Sequence, residues 1–266
     1  MTENFQGPSE NENQNDLFNQ VYKAGSRGSL SYSSPLTEIR TPMDNTVLHI
    51  AAWYGNVKIV SLVIEHAPKL LFKFNKNNDS ALHIAARGGH IDIVQILLVA
   101  YTNIQRYVIK RAWLEYSKNI NYPEDYDEES NMWDLLNFVK KENAQGNTML
   151  HEAMLCRNIK MIGGDKIFKV CEVYKIQGFP GNSLSNCCYE YALDIVNKEK
   201  KTVLYLAVEN GDKDAVKLIL ENYPKNNEAK PNGLSPVVAA ILMRNRGEFS
   251  IIFKFYWVLL TNVLIR

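Results

Sequence analysis

The sequence predicts an all-α solenoid, a right-handed stack of about five helix pairs, with loops projecting to one side and little or no sheet. The first observation behind this fold class is a repeated segment: Thr46–Asn56 (TVLHIAAWYGN) recurs as Ser80–His90 (SALHIAARGGH), with the two histidines 34 residues apart. The second is that an apolar segment with helical spacing follows each copy. A unit repeated at this period buries its apolar face only by stacking on further copies, which indicates a solenoid.

Three further copies keep the same template, although some are degenerate. The third, Thr148–Met154, places its histidine 68 residues after His83, which is twice the period. The fourth, Thr202–Asp212, has tyrosine in place of the histidine, and the fifth, Ser235–Ala240, has valine there. Five copies in register predict one elongated domain.

The residues within each copy suit a helix pair. Each copy starts with a hydroxyl residue that can cap the first helix; these residues are Thr46, Ser80, Thr148, Thr202 and Ser235. Glycine then suits the left-handed residue that ends this helix in three copies, at Gly55, Gly89 and Gly211. The second helices carry apolar residues in the same register, so the same faces are expected to stack into one continuous core.

These copies resemble the signature of ankyrin repeats. A narrower resemblance rests on four segments, namely Asp44–Ala52, Asp79–Gly89, Asn147–Ala153 (with LHEA) and Lys201–Gly211 (with VLYLA). Over about residues 40–245, the chain is similar to the plant ankyrin-repeat membrane proteins of the accelerated-cell-death type. The resemblance implies a role in plant defence or stress signalling at the cytoplasmic face of a membrane, the plasma membrane by analogy. Family members usually continue into a membrane domain containing Pro-Gly-Gly, which this chain is expected to lack.

We expect three parts along the chain. Residues 1–35 are polar and rich in Asn, Glu, Gln and Ser, which predicts a disordered arm without a signal peptide. Residues 36–245 form the repeat domain, with insertions at about 101–140 and 163–196, and residues 246–266 form an apolar tail. In the first insertion, the second helix could continue through 101–118. The acidic segment Tyr122–Ser130 that follows is either a solvated loop or a docking loop for a basic partner.

Composition and motifs argue against catalysis. The net charge is +1 and 22% of the residues are charged, so bulk charge does not favour a nucleic-acid partner or an acidic substrate. The four cysteines form no CxxC pair, and no HExxH, GxSxG, GxGxxG or phosphate-loop motif is present. The chain is therefore predicted not to be an enzyme, with no cofactor, metal or small-molecule substrate.

The repeated histidines deserve a separate interpretation, because an array of histidines can suggest a metal site. His49, His83 and His151 are instead expected to hydrogen-bond the backbone of a neighbouring loop and tie the repeats together. Tyr205 and Val238 replace the histidine in later copies, which a metal-ligand set would not tolerate.

A protein partner is expected to bind the loop tips and the outward positions of the first helices. The candidate residues on the first helices are Trp53, Tyr54, Arg87 and Glu209, and those on the loop tips are Lys76, Asn77, Asn78, Lys198, Glu199 and Lys230. Adjacent Trp53 and Tyr54 attract most interest because aromatic residues dominate interface hot spots. The alternative is that they cap the exposed first repeat.

The tail leaves two functions open. The segment 249–265 has 13 apolar residues in 17, with Lys254 among them, which is at the lower limit for a membrane-spanning helix. It is either membrane-embedded or packed over the last repeat. The favoured function is a non-enzymatic protein-interaction scaffold. The alternative is a membrane-embedded transport or channel-like component anchored by this segment, and a soluble cytoplasmic location is the alternative to the membrane face.

Overall fold

The computed structural model describes residues 37–117, 137–161, 192–222 and 251. Four copies of the repeat lie within these ranges. Their first helices are α1 (Val47–Trp53), α3 (Ala81–Gly88), α5 (Met149–Leu155) and α6 (Val203–Glu209). Their second helices are α2 (Val57–His66), α4 (Ile91–Ser117) and α7 (Lys213–Asn222), with 3-10 turns at Pro68–Phe72 and Ile159–Met161.

Strand pairing is minimal in the described ranges. Isolated bridges join Arg40 to Thr46 and Phe74 to Ser80, each closing a hairpin that leads into a first helix. The prediction of an all-α repeat solenoid is therefore confirmed.

Each first helix begins at the predicted hydroxyl residue. Thr46, Ser80 and Thr148 have extended backbone conformations and form capping boxes with the histidine three residues later. In the fourth copy, the Thr202 hydroxyl accepts a hydrogen bond from the backbone N–H of Tyr205. These bonds satisfy amide groups that the first turn of a helix leaves without a partner.

A left-handed residue follows the first helix of every described copy. Three are the predicted glycines, with φ of 68° at Gly55, 74° at Gly89 and 67° at Gly211. The third copy has Arg157 instead, with φ of 58°. Left-handed backbone strains residues that carry a Cβ, so the chain reverses direction here at a small cost in the third copy.

The core lies between the two helix layers and runs through all four copies. The first helices are buried along most of their length, and the leucine before each histidine or tyrosine is at most 2% exposed: Leu48, Leu82, Leu150 and Leu204. Each second helix buries one face, for example Ile59 and Val63 in α2. The alanine pairs 51–52 and 85–86 are fully buried, and side chains this small allow neighbouring helices to approach closely.

The second and third copies stack directly on each other although 68 residues separate their histidines. The His83 Nε2 lies 3.1 Å from the carbonyl oxygen of Asn147, and Asn158 Nδ2 lies 2.8 Å from that of Arg87. Helix α4, which has 27 residues where α2 has 10, continues to Ser117 as expected. The second and third copies are therefore neighbours in the stack.

Several predictions fall on residues that the structure does not describe. These are the arm 1–35, most of the insertion 163–196, the acidic segment 122–130, the fifth copy at 235–240 and, apart from Ile251, the tail. The domain boundaries remain predictions. Ile251 is half-buried and packs against the core.

Candidate protein-binding face

The hairpins that precede the first helices are joined tip to tip by backbone hydrogen bonds. Lys76 N donates to Met43 O at 3.0 Å, Ala144 N to Asn77 O at 2.8 Å, and Lys198 N to Gln145 O at 3.1 Å. The four tips therefore form one continuous edge, which we call the hairpin edge. The backbones of the tips are held at fixed positions relative to one another.

An asparagine at the start of three hairpins fixes the shape of each turn. Asn75 Oδ1 accepts from the backbone N–H groups of Asn77 and Asp79, both at 2.9 Å. Asn143 and Asn197 make the same pair of bonds in their own hairpins. A left-handed residue then stands at the same place in all four hairpins: Asp44, Asn78, Gly146 and Lys200.

The side-chain amides of these asparagines also bond to the preceding hairpin. Asn75 Nδ2 donates to Asn45 Oδ1 at 2.8 Å, and Asn197 Nδ2 donates to Asn147 Oδ1 at 2.9 Å. Sequence reasoning missed this set. The available signal was an asparagine five residues before the capping hydroxyl in the second, third and fourth copies.

The repeated histidines connect each first helix to the next hairpin. His49 Nε2 donates to Asp79 O at 2.8 Å, and His151 Nε2 donates to Lys201 O at 3.0 Å. Because a carbonyl oxygen only accepts, Nε2 carries the hydrogen, and Nδ1 accepts from the capping residue, as from the Thr46 amide at 3.2 Å. The predicted structural role of the histidines is confirmed. No cluster of metal-ligand type occurs among the residues that the structure describes.

Burial keeps these histidines neutral. It lowers the pKa of His49 and of His151 to about 4, and lowers that of His83 in the same direction, despite the opposing charge of Asp79 near His49 and His83. Neutral imidazole is the form that can both donate and accept in this arrangement.

Arg87 does not have the exposure predicted from its position. Its side chain is 12% exposed and lies between two carboxylates. Its terminal nitrogens bond both oxygens of Asp79, at 3.0 and 3.2 Å, and its Nε bonds Glu152 at 2.8 Å. Burial alone would lower the pKa of Arg87, but the bond to Glu152 and the two negative charges raise it.

The carboxylates of this network have further partners. Asn143 Nδ2 bonds Asp79 at 2.9 Å and Glu152 at 2.7 Å, and Asn147 Nδ2 bonds Glu152 at 2.9 Å. Asp79, Glu152, Asn143 and Asn147 are all buried. The network therefore joins the second and third copies, and Arg87 has a structural role at their junction.

The opposite ends of the first helices are also connected between copies. His90 Nε2 lies 3.0 Å from Trp53 O, Asn158 Nδ2 lies 2.8 Å from Arg87 O, and Asn210 Nδ2 lies 2.7 Å from Met154 O. Each bond satisfies a carbonyl that the end of a helix leaves without an intrahelical partner. The first helices are thus fixed at both ends.

Trp53 and Tyr54 have different environments although they are adjacent. Trp53 is half-buried and packs against the core, whereas Tyr54 is 42% exposed. Tyr54 is therefore the more accessible of the two aromatic candidates, and Trp53 contributes to the packing of the first repeat.

The predicted tip residues lie on the hairpin edge, with one outside the described ranges. Lys76, Asn78, Lys198 and Glu199 are exposed and Asn77 is half-buried, while Lys230 is not described. The amino group of Lys198 bonds Ala144 O at 2.7 Å, and Asn78 Nδ2 bonds Glu142 O at 2.8 Å.

Glu209, the remaining candidate, belongs to an ion-pair group at the fourth hairpin. The Lys201 amino group lies 2.9 Å from Glu209 and 2.8 Å from Glu199. The bonds to both glutamates raise the pKa of Lys201, although burial alone would lower it.

Two exposed apolar residues, one at a hairpin tip and one at the C-terminal end of a first helix, escaped the sequence analysis. Met43 at the first hairpin tip is 45% exposed, and Leu155 at the end of α5 is 44% exposed. Leu155 occupies the position of Trp53, Arg87 and Glu209 in its copy, four residues after the histidine or tyrosine. This shared position in the repeat was the sequence signal that could have identified Leu155 as a candidate. We call the hairpin edge together with Tyr54 and Leu155 the recognition face.

Comparison with known proteins supports the repeat assignment. The family model described as ankyrin repeats (3 copies) matches residues 11–107, which include the first two copies. The described repeats are therefore similar to ankyrin repeats. Protein ACCELERATED CELL DEATH 6 of Arabidopsis thaliana is 26% identical to it over 203 residues, covering 74% of this chain. The predicted resemblance to ankyrin-repeat proteins of the accelerated-cell-death type is confirmed.

Shorter ankyrin-repeat relatives match as well. Notch-regulated ankyrin repeat-containing proteins of Xenopus tropicalis and Xenopus laevis are each 40% identical over 57 residues, which is 21% of this chain. The chain spans 26% of the Arabidopsis relative and 49% of the Xenopus ones. Ankyrin repeats are interaction modules, so a protein partner is indicated for this chain.

None of the helices within the described ranges combines the length and the apolar composition needed to cross a membrane.

Proposed function

We propose that this chain is a non-enzymatic scaffold that binds a protein partner on the recognition face. The observation that carries the proposal is the exposure of Met43, Tyr54 and Leu155, each above 40%, on a frame whose neighbouring groups are bonded between repeats. Exposed apolar side chains on a backbone that is already held in place suit binding, because the backbone loses little conformational freedom when a partner docks. Arg87 is not part of this proposal, since its guanidinium is engaged by Asp79 and Glu152.

Plant defence or stress signalling is the process we propose for this scaffold. Its support is the similarity to the Arabidopsis protein named for accelerated cell death, which extends over 74% of this chain. Because the chain spans 26% of that relative, the activity of the whole relative is not transferred.

The partner site is tested with a pair of matched double variants. The partner is first identified by cross-linking in plant tissue and mass spectrometry. Tyr54→Ala/Leu155→Ala is then expected to weaken its complex with this protein at least tenfold, since hot-spot truncations typically cost about 2 kcal/mol each. The melting temperature should change little, because both side chains are more than 40% exposed. The readouts are quantitative co-purification and circular dichroism.

Val57→Ala/Phe72→Ala is the control, because these residues are similarly exposed, at 39% and 40%, but lie on the second-helix layer. This variant should retain the complex. Equal loss in both double variants, or retention in both, would refute the proposed site.

We further propose the cytoplasmic face of a membrane as the location, by the family resemblance, with peripheral attachment. The half-burial of Ile251 against the core supports a tail that packs on the repeats. Sodium carbonate extraction of membranes from expressing plant cells should therefore release the protein into the supernatant. Retention in the pellet, beside an integral membrane marker, would instead support the membrane-embedded alternative.

A further inference from the structure

Basic residues are concentrated on the hairpin edge. Each hairpin can be represented by the eight residues that end at its capping hydroxyl, namely 39–46, 73–80, 141–148 and 195–202. These segments contain seven basic and four acidic residues. In helices α2 and α7 of the other layer, basic and acidic residues are equal in number. The hairpin edge therefore carries an excess of positive charge that α2 and α7 lack.

Most of the acidic residues in these segments already have a basic partner. Asp44 lies 3.6 Å from Arg40, Asp79 is bonded by Arg87, and Glu199 lies 2.8 Å from Lys201. Glu142 is the remaining acidic residue of the four. Its single negative charge is outnumbered by the positive charges of the exposed lysines of the edge, which are Lys73, Lys76, Lys141, Lys198 and Lys200.

The groups behind the edge do not reverse this excess. The Arg87 and Lys201 ion-pair groups each contain one carboxylate more than cations, but Asp79 and Glu152 in the first group are buried. The lysines are exposed whereas Asp79 and Glu152 are buried, so the lysines dominate the charge that an approaching ligand meets there.

The geometry of the edge defines the length of a matching ligand. Neighbouring helices pack about 8–10 Å apart, so four stacked hairpins extend over about 25–30 Å. An extended peptide rises about 3.3 Å per residue, so about eight or nine residues would reach all four tips. Met43 provides an exposed apolar contact at the first tip.

We propose that the hairpin edge binds an extended acidic segment of the partner, with an apolar residue near one end that contacts Met43. This proposal rests on the proposed function and specifies the chemistry of the partner. The proposal is based on charge complementarity between an acidic peptide and the lysines of the edge. The tip-to-tip hydrogen bonds fix the order of the hairpins that carry these lysines.

The test uses the full chain and fluorescein-labelled nonapeptides. One peptide alternates Glu and Ser with a single Leu near one end, and the second has Gln in place of every Glu. Fluorescence anisotropy should show binding of the acidic peptide, at least tenfold weaker binding of the Gln peptide, and weakening of the acidic peptide between 50 and 200 mM NaCl. Failure of the acidic peptide to bind, or equal binding of both peptides, overturns the proposal.

Two triple variants of equal net charge separate the edge from bulk charge. Lys76→Glu/Lys141→Glu/Lys200→Glu should weaken binding of the acidic peptide at least tenfold. Lys58→Glu/Lys69→Glu/Lys213→Glu, with exposed lysines outside the edge, should stay within threefold of the unchanged protein. Equal weakening in both overturns the proposal, and circular dichroism confirms that both remain folded.

The outcome is separable from that of the proposed function. A cellular complex lost in Tyr54→Ala/Leu155→Ala, but unchanged in the edge triple variant, refutes the acidic ligand and leaves the scaffold function standing. A complex that persists in both variants refutes the recognition face as a whole.

Discussion

Acidification from pH 7.5 to pH 4.5 is expected to unfold the repeat domain, because three buried histidines must remain neutral in the folded state. The pKa values of His49 and His151 are lowered from 6.5 to about 4, and that of His83 is lowered as well, with burial as the largest cause. Below pH 6.5 the unfolded chain binds protons that the folded chain does not. The free energy of unfolding therefore falls as the pH falls from about 6.5 towards 4.

The expected loss is comparable to the whole stability of a domain. One pKa unit corresponds to about 1.4 kcal/mol, so His49 and His151, whose pKa values fall from 6.5 to about 4, each contribute on the order of 3 kcal/mol above pH 6.5, and His83 adds to this in the same direction. Small domains are typically stable by about 5–15 kcal/mol. Urea unfolding followed by circular dichroism at pH 7.5, 6.5, 5.5 and 4.5 measures the effect.

His83→Gln provides the control for this prediction. Glutamine at the third helical position can preserve a capping box with Ser80, but it does not titrate. The variant should be less stable at pH 7.5, because His83 also bonds the carbonyls of Lys141 and Asn147. The stability of the variant should also depend less on pH than that of the unchanged protein. An unchanged pH dependence would assign the acid sensitivity to other groups.

Arg87→Ala is expected to destabilise the domain by about 3–5 kcal/mol, because it leaves Asp79 and Glu152 as buried carboxylates without a cation. The two acids are 0% and 5% exposed, so water cannot replace the guanidinium without opening the junction. Chemical denaturation at pH 7.5 measures the change. The second and third copies should also show faster amide hydrogen exchange.

Two further variants test whether unpaired buried charge causes the loss of stability in Arg87→Ala. Asp79→Asn/Arg87→Met/Glu152→Gln removes all three charges and should be clearly more stable than Arg87→Ala, since the cost comes from unpaired charge. Arg157→Ala removes an exposed arginine that bonds Asn210 O and should change stability by less than about 1 kcal/mol. If Arg87→Ala proved as mild as Arg157→Ala, the charged network would not contribute to stability.

The fold was predictable because the same type of capping residue and the same apolar pattern recur in each copy. Similar apolar segments follow Thr46, Ser80 and Thr148, so the period of the repeat was sufficient to predict where the helices start and which leucines are buried. The histidine role was also predictable, since Tyr205 occupies the same place without losing the helix. These features depend on residues within one repeat and its period.

The position of Arg87 was not predictable from its own repeat, because its environment comes from the next one. Trp53 and Leu155 share its register and have half-buried and exposed side chains, respectively. Glu152 was the overlooked signal: Ile50, Ile84 and Leu206 stand at that buried position in the other copies. A carboxylate in such a place requires a buried cation, and Arg87 was the available one.

The direct stacking of the second and third copies has a consequence for the order of folding. His49 bonds a carbonyl 30 residues away, whereas His83 bonds one 64 residues away. Closing the longer loop costs only about 0.6 kcal/mol more per doubling of length, so the final stability hardly suffers. Contacts distant in sequence nevertheless slow the search for the native arrangement. We therefore expect the first two copies to form early, and the third and fourth copies, which are joined by histidine contacts 64 and 50 residues apart, to be added later.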